Sequence, residues 1–188
     1  MIYLIRHGQT ELNNSQVLQG RSDWPLNENG RLQAQEAGER LRGVSFSRVY
    51  SSPLKRAVQT AAIIAPALAP VIDERLIEMD YGPYEGMALN ALTPEVISFF
   101  RDFVNHPAPD GMEPLANVVK RAGEFLEARC RTDVNILVST HAIAMKGMLE
   151  YLTPESHGGY WSKYIGNCTV YVTEYREGQF SVPREIGP

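Results

Sequence analysis

The chain has 188 residues, of which 44% are hydrophobic and 21% charged, and this suits one globular domain with a sizeable core. Its net charge of −4 argues against broad binding to nucleic acid or to a membrane surface, although it leaves room for a small basic pocket. We find no apolar stretch that could span a bilayer, no signal-peptide pattern at the start and only two cysteines, so we expect a cytoplasmic protein with reduced thiols.

The first half of the chain is predicted to alternate short strands with amphipathic helices. Its elements, in chain order, are a strand over 2–5, a polar loop over 13–27, a helix over 28–42, a strand over 44–50, a helix from 51 to about 65 and a strand at 71–72. Asn27 is a typical N-cap for the first helix, and Ser51-Ser52-Pro53 is a typical start for the second. We expect the apolar stripe of the first helix to consist of Leu32, Ala37 and Leu41.

The second half is predicted to continue this alternation. Its elements are a turn over 80–86, helices over 94–104 and 114–129, a strongly apolar strand over 135–138, a helix over 142–152, and a terminal hairpin formed by 169–175 and 180–182. Strands that alternate with helices predict an α/β fold with a mainly parallel central sheet. Because both faces of such a sheet are covered by helices, we expect a three-layer α/β/α sandwich.

Cationic side chains follow three of the predicted strands. Arg6 and His7 follow the first strand, Arg56 lies within a turn of the second, and His141 follows the apolar strand at 135–138. Because ligands bind at the carboxyl ends of parallel strands, we expect these four residues at one edge of the sheet. Such a cluster is electrostatically unfavourable unless an anion occupies it, and arginine binds phosphate with two parallel hydrogen bonds. The sequence therefore predicts a phosphate site.

Two histidines and two arginines around a phosphoryl group predict phosphoryl transfer. A histidine can attack phosphorus if its attacking nitrogen is unprotonated, and arginines neutralise the charge that magnesium neutralises elsewhere. We therefore expect no cofactor and no metal, and the four histidines also lack the spacing of a zinc site. A leaving alkoxide needs a proton, and Glu78 is our candidate acid. Asp80 and Glu85 lie close by in the sequence, and the alternative interpretation of Glu85 is that it caps the following turn.

These residues lie in motifs that resemble, in order, those of the histidine phosphatase superfamily, also called phosphoglycerate mutase-like. The motifs are RHGQT at 6–10, LQGRSDWPL at 18–26, YSSPLKRAVQT at 50–60, LIEMDYGPYEG at 76–86, LVSTH at 137–141 and NCT at 167–169. The matches extend from residue 2 to about residue 172. One RHG triplet would be weak evidence, but several motifs in the family's order are strong evidence.

The resemblance implies a role for each candidate. His7 would carry the phosphoryl group as a phosphohistidine, and Glu78 would be the general acid that later helps to activate water. The remaining implied contacts with the phosphoryl group or the substrate are Arg6, Arg56, His141, Asn13, Gln19, Gly20 and Arg21. The sequence departs from the family pattern at Ala142, where glycine is common, at Tyr84, where tryptophan is usual, and at 111–114, which matches the family's GES pattern only loosely. These departures affect the pocket wall rather than the chemistry.

The resemblance leaves two reactions open. The first is metal-independent hydrolysis of a small phosphorylated metabolite, and the second is a mutase reaction of the phosphoglycerate type. Because the stretch from 86 to 135 is short, we expect a single domain over 1–188 with a short helical cap at about 86–115 that admits water, which favours hydrolysis. A non-catalytic module that binds a phosphorylated ligand is disfavoured, since His7 and Glu78 are both present. The terminal strand could also pair across a homodimer.

Overall fold

The computed structural model describes residues 1–187 and contains eight strands and six α-helices. The strands are β1 (Ile2–Arg6), β2 (Arg48–Ser51), β3 (Val71–Ile72), β4 (Ile136–Thr140), β5 (Val170–Thr173), β6 (Tyr175–Arg176), β7 (Gln179–Phe180) and β8 (Arg184–Ile186). The helices are α1 (Glu11–Asn14), α2 (Glu28–Arg40), α3 (Lys55–Ile64), α4 (Pro94–Arg101), α5 (Leu115–Arg129) and α6 (Ala142–Leu152). Within residues 1–187, no helix is long and apolar enough to cross a membrane.

Six of the strands form one sheet in the order β3-β2-β4-β1-β5-β8. Strands β1 to β4 pair in parallel, whereas β5 runs antiparallel to β1 and to β8. Strand β1 lies between β4 and β5, so that Leu4 meets Val138 on one side and Tyr171 on the other. The predicted mainly parallel sheet is therefore confirmed, with β1 and β4 at its centre.

Side chains on β1 alternate between the two faces of the sheet, as a strand requires. Ile2 and Leu4 pack against α5 and α6, whereas Ile5 packs on the opposite face against α2 and α3. A third apolar cluster joins α4 to the chain around Met79 and Trp161. The predicted three-layer α/β/α arrangement is confirmed, and the third cluster packs α4 against residues of α5 and α6.

The buried stripe of α2 differs from the predicted one. Leu32 is 51% exposed, whereas Ala34 and Ala37 are fully buried. Leu32 lies five residues, or about 140°, from Ala37 around the helix, so the two side chains cannot share one face. Small alanines there allow α2 to pack closely on the sheet.

Strand β2 and helix α3 both begin later than predicted. Strand β2 begins at Arg48 because this residue meets Ile136, the first residue of β4. Ser51 still pairs with Ser139 in the sheet, so neither Ser51 nor Ser52 is the N-cap of α3. Both serines therefore lie at the carboxyl edge of the sheet and do not cap the helix.

The structure also differs from the predicted elements at α4, at α1 and in the strands near the end of the chain. Helix α4 ends earlier than predicted because the Asp102 carboxylate accepts hydrogen bonds from the N–H groups of Val104 and Asn105. The short helix α1, which falls at the edge of the predicted loop, is started by a capping box between Thr10 and Asn13. The predicted terminal hairpin is β6–β7, and the strand before it divides into β5 and β6. Strand β8 was not predicted.

Candidate active site

The carboxyl ends of β1, β2 and β4 form one edge of the sheet, and the candidate residues lie along it. His7 follows β1 and His141 follows β4, and because these strands are neighbours the two imidazole rings are 5.1 Å apart between centroids. Arg6 is the last residue of β1, and Arg56 lies in the first turn of α3. The structure thus brings together the four cationic residues that the sequence places at strand ends.

The imidazole of His7 is oriented by the backbone that follows it. Its ring is 4% exposed, and Nδ1–H donates to the carbonyl of Gly8 at 2.7 Å. This hydrogen bond leaves the lone pair on Nε2. Burial lowers the pKa of His7 well below its usual value, and the charges of Arg56 and Arg6 lower it further. The ring is therefore neutral at neutral pH, and the lone pair of Nε2 accepts a hydrogen bond from Arg56.

The Arg56 guanidinium is fully buried between the two histidines. Its Nε–H lies 3.2 Å from both His7 Nε2 and His141 Nδ1. The other two nitrogens donate to backbone carbonyls, Nη1 to Ser22 at 2.7 Å and Nη2 to Gly20 at 2.6 Å. Burial lowers the pKa of Arg56 from 12.5 to about 10, so the group remains a cation at neutral pH. Its orientation depends on the loop that supplies the two carbonyls.

Glu85 holds that loop, which is a role that the sequence did not predict. Its carboxylate accepts the N–H of Gly20 at 2.9 Å, the N–H of Ser22 at 3.1 Å and the hydroxyl of Ser22 at 2.6 Å. It also accepts the N–H of Arg21. A side chain at Gly20 would come within 2.6 Å of the Met79 carbonyl, so only glycine fits there. The expectation that Glu85 caps the following turn is replaced by this longer-range contact.

His141 is fully buried and has a partner on each ring nitrogen. Because Arg56 donates to Nδ1, the ring proton lies on Nε2, which donates to the Ser52 hydroxyl at 2.7 Å. Burial lowers the pKa of His141 well below its usual value, and the charge of Arg56 adds to this effect. Ser52 was not predicted as a site residue. Its position directly after a strand was the sequence feature that could have indicated this role.

Two buried donors in this region have no acceptor. Arg6 Nη1 donates to the carbonyl of Ile165 at 2.6 Å, and Gln19 Oε1 accepts from the Thr10 hydroxyl at 2.6 Å. Arg6 Nε and Gln19 Nε2 are nevertheless buried without a partner, and within residues 1–187 no other side-chain nitrogen or oxygen is. A buried donor without an acceptor destabilises the fold by about 1–3 kcal/mol. Both belong to predicted phosphate-binding residues, and a phosphate would supply acceptors.

Glu78 lies at the N-terminus of α6. It is 3% exposed, and its carboxylate accepts the N–H groups of Met79 at 2.9 Å, Ala144 at 2.9 Å and Ile143 at 3.1 Å. These three hydrogen bonds fix the carboxyl group of Glu78 at the start of the helix. The negative charge of Glu78 offsets part of the effect by which burial lowers the pKa of Arg56.

Asn13 and Arg21 are held by protein partners. Asn13 Oδ1 accepts from the N–H of Thr10 at 3.1 Å as part of the capping box of α1. Arg21 forms ion pairs with Asp80 at 3.2 Å and with Glu113 at 3.4 Å. These contacts tie the 20–22 loop to the chain after Glu78, and they neutralise the charge of Arg21.

Arg121 is a further residue that sequence reasoning missed. It donates to the carbonyls of Ile77 and Arg75, and its guanidinium pairs with Glu113 at 2.8 Å. Glu113 in turn accepts the N–H of Asp80. The segment on both sides of Glu78 is thus fixed from α5. An arginine on the buried face of an amphipathic helix was the sequence feature that could have indicated this role.

Comparison with known proteins gives a consistent result. The profile of the histidine phosphatase superfamily (branch 1) matches residues 2–185. The chain is 31% identical over 187 residues to a "Probable phosphoglycerate mutase GpmB" of Salmonella arizonae, which covers 95% of this chain and 86% of that protein. The structure of Entamoeba histolytica phosphoserine phosphatase in complex with 3-phosphoglyceric acid superposes with a TM-score of 0.85 at 27% identity, covering 100% of this chain and 96% of that one. Bacillus stearothermophilus YhfR superposes with a TM-score of 0.83 at 30% identity, covering 96% and 94%.

Proposed function

The chain belongs to the histidine phosphatase superfamily, and from this premise we propose that it hydrolyses a small phosphomonoester through a phosphohistidine on His7, without a metal ion. One observation carries the proposal: the lone pair of His7 Nε2 is buried beside the Arg56 guanidinium. Within residues 1–187, Arg6 Nε and Gln19 Nε2 are buried donors without an acceptor. Phosphoryl transfer needs a nucleophile together with cations and donors that stabilise the charge of the phosphoryl group.

A phosphoryl dianion fits the charges of this pocket. It would accept the Nε–H that Arg56 now shares between two histidines, and it would satisfy Arg6 Nε and Gln19 Nε2. Its negative charge would also favour protonation of His141, which would then donate to a phosphoryl oxygen through Nδ1. The fixed cations therefore stabilise the charge on the equatorial oxygens during transfer.

The first chemical step transfers the phosphoryl group to the enzyme. His7 Nε2 attacks phosphorus, the N–P bond forms and the bond to the leaving oxygen breaks. Glu78 donates its proton to that oxygen, so the alcohol leaves uncharged. Of the two carboxyl oxygens of Glu78, Oε2 accepts a single protein N–H, from Ile143, and it has room for the proton.

The second step restores the enzyme. Water attacks phosphorus while the Glu78 carboxylate takes one of its protons, the N–P bond breaks, and inorganic phosphate leaves. We propose that the segment at 86–115, which contains α4, forms a short cap that leaves the site open to this water.

A mutase is the second candidate, and the relative named as a probable phosphoglycerate mutase favours it. The two reactions share every step up to the phosphohistidine and differ in what accepts the phosphoryl group. In a mutase the bound sugar acid takes it back at a different oxygen, and water must be excluded.

The test is to assay both outcomes on the same preparation. Released phosphate would be measured over a panel of small monoesters, and conversion of 3-phosphoglycerate to 2-phosphoglycerate would be followed with and without 2,3-bisphosphoglycerate. We expect phosphate release, and its loss in His7→Ala. Robust mutase turnover would overturn the choice of hydrolase, and full phosphate release by His7→Ala would overturn the mechanism.

A further inference from the structure

The carbonyl that orients His7 belongs to a peptide group that makes a second hydrogen bond. His7 Nδ1–H donates to the Gly8 carbonyl at 2.7 Å, and the N–H of Gln9, in the same peptide group, donates to Gln33 Oε1 at 2.9 Å. A peptide group is planar and trans, so its C=O and N–H point in opposite directions. Gln33, a half-buried residue of α2, therefore fixes the direction in which this carbonyl faces the nucleophile.

Gly8 needs such a contact, because glycine has no side chain to restrict its backbone. A Cβ at this position would lie 2.3 Å from the carbonyl oxygen of Gly30, so only glycine fits. The peptide group before Gly8 is fixed by the buried hydroxyl of Thr60, which accepts the Gly8 N–H at 3.1 Å. The peptide group after Gly8 can still rotate about ψ, and the hydrogen bond to Gln33 opposes this rotation.

In the empty site, the tautomer of His7 is fixed from both sides. The Gly8 carbonyl accepts the proton of Nδ1, and Arg56 Nε–H donates to Nε2 at 3.2 Å. A bound phosphoryl group would take the Arg56 donor, and its oxygens would accept a proton from Nε2 if one were there. A ring protonated at Nε2 would bind the anion but could not attack phosphorus. With substrate bound, the Gly8 carbonyl is therefore the contact that keeps Nε2 unprotonated.

We propose that Gln33 is a positioning residue that keeps the substrate-bound His7 in the tautomer that attacks. Its hydrogen bond holds the Gly8 carbonyl on Nδ1–H and polarises it, since hydrogen bonds in a chain strengthen one another. This inference rests on the proposed function for the reaction at Nε2. The alternative is that Gln33 only ties α2 to the loop after β1, so that its loss would lower stability without changing the tautomer.

The test measures the tautomer directly, by NMR of isotopically labelled histidine nitrogens, with and without saturating inorganic phosphate. The His7 signals are assigned by their absence in His7→Ala. Gln33→Met removes the acceptor but keeps the length of the side chain and a high helix propensity, whereas Gln33→Glu keeps an acceptor oxygen. Gln35→Met, at an exposed glutamine of the same helix, is the matched control.

With phosphate bound, the wild type, Gln33→Glu and Gln35→Met should carry the His7 proton on Nδ1, whereas Gln33→Met should populate the ring protonated at Nε2. Without phosphate, Arg56 still selects the tautomer, but the Nδ1 proton should exchange with water faster in Gln33→Met, because its acceptor is less firmly held. Phosphohistidine formation from p-nitrophenyl phosphate in a single turnover should be about 10-fold slower in Gln33→Met. Binding of inorganic phosphate should not weaken, because Gln33 contacts none of the cations.

A Gln33→Met protein with the wild-type tautomer, proton exchange and phosphohistidine formation would overturn the inference, as would equal changes in Gln35→Met. Lower stability with an unchanged tautomer would assign Gln33 the structural role and would overturn it as well. The tautomer and the proton exchange are measured without turnover, so they decide the inference by themselves. Absence of phosphate release by the wild type would contradict the proposed function alone.

Discussion

Glu85 makes no contact with either histidine, yet the geometry predicts that Glu85→Gln impairs catalysis. The carboxylate fixes the 20–22 loop, and the carbonyls of Gly20 and Ser22 fix the guanidinium of Arg56. Glutamine keeps the size of the side chain but removes its charge and one of its two acceptor atoms. The substitution therefore tests whether the orientation of Arg56 depends on this distant carboxylate.

The expected magnitude follows from the hydrogen bonds. One glutamine oxygen can keep the three bonds now made by Oε1, to the N–H of Gly20 and to the N–H and hydroxyl of Ser22. The N–H of Arg21 would then face an amide NH₂. Bonds to a charged acceptor contribute about 1 kcal/mol more than bonds to a neutral one, and partial exposure of the loop reduces this, so we expect about 1–2 kcal/mol of lost stability. Misplacement of Arg56 should lower kcat/KM by about 10- to 100-fold.

The assay combines phosphate release with thermal unfolding, both measured against Glu36→Gln, which changes an exposed carboxylate on α2. Binding of vanadate, a phosphate mimic, should weaken in Glu85→Gln in parallel with kcat/KM, because both depend on Arg56. If Glu85→Gln retains the wild-type kcat/KM and melting temperature, the link from Glu85 to Arg56 is wrong. If stability falls but vanadate binding does not, Glu85 supports only the loop.

Three further predictions concern the glycine of the loop, acid stability and metal removal. Gly20→Ala should lower kcat/KM at least as strongly as Glu85→Gln, measured by phosphate release, because the new methyl group would meet the Met79 carbonyl at 2.6 Å; unchanged kinetics would contradict this. The pKa values of His7 and His141 are lowered in the folded state, so the unfolded state binds more protons below about pH 6.5, and stability should fall with pH there by up to about 2.7 kcal/mol per unit. The free energy of unfolding, measured with denaturant from pH 7 to 5, should depend less on pH in His141→Asn than in the wild type, whereas a variant of the exposed His157 should behave like the wild type. The same pH dependence in His141→Asn and in the wild type would refute the assignment. Phosphate release should survive dialysis against EDTA, and activity restored only by added magnesium would contradict a mechanism based on arginine.

The sequence predicted the parts of the site that follow strands. Each of the residues Arg6, His7 and His141 ends or follows a strand of the parallel sheet, so an apolar run and a topology rule together bring them to one edge. Arg56 could be placed in the same way, because it lies in the first turn after β2. The order of the family's motifs added the assignment of Glu78, which periodicity alone could not separate from Asp80.

The parts that sequence reasoning missed depend on contacts between distant segments. Glu85 binds a loop that lies 63 to 65 residues earlier in the chain, and Ser52 binds a histidine that lies 89 residues later. No local sequence pattern predicts contacts between such distant residues, because each partner taken alone is an ordinary polar residue. The misplaced stripe of α2 has a different cause: Leu32 is the larger apolar side chain, but the close packing of helix on sheet selects the smaller alanines.

Helix α6 contacts several parts of the site at once. His141 is its N-cap, and its first N–H groups hold Glu78. Because a helix is stiff, a shift of α6 along its axis would move His141 and Glu78 together relative to His7. Substitutions that tilt α6 should therefore affect both phosphate affinity, through His141, and proton transfer, through Glu78. Substitutions that change only one of these two properties must instead lie in the loops and the α4 segment around α6.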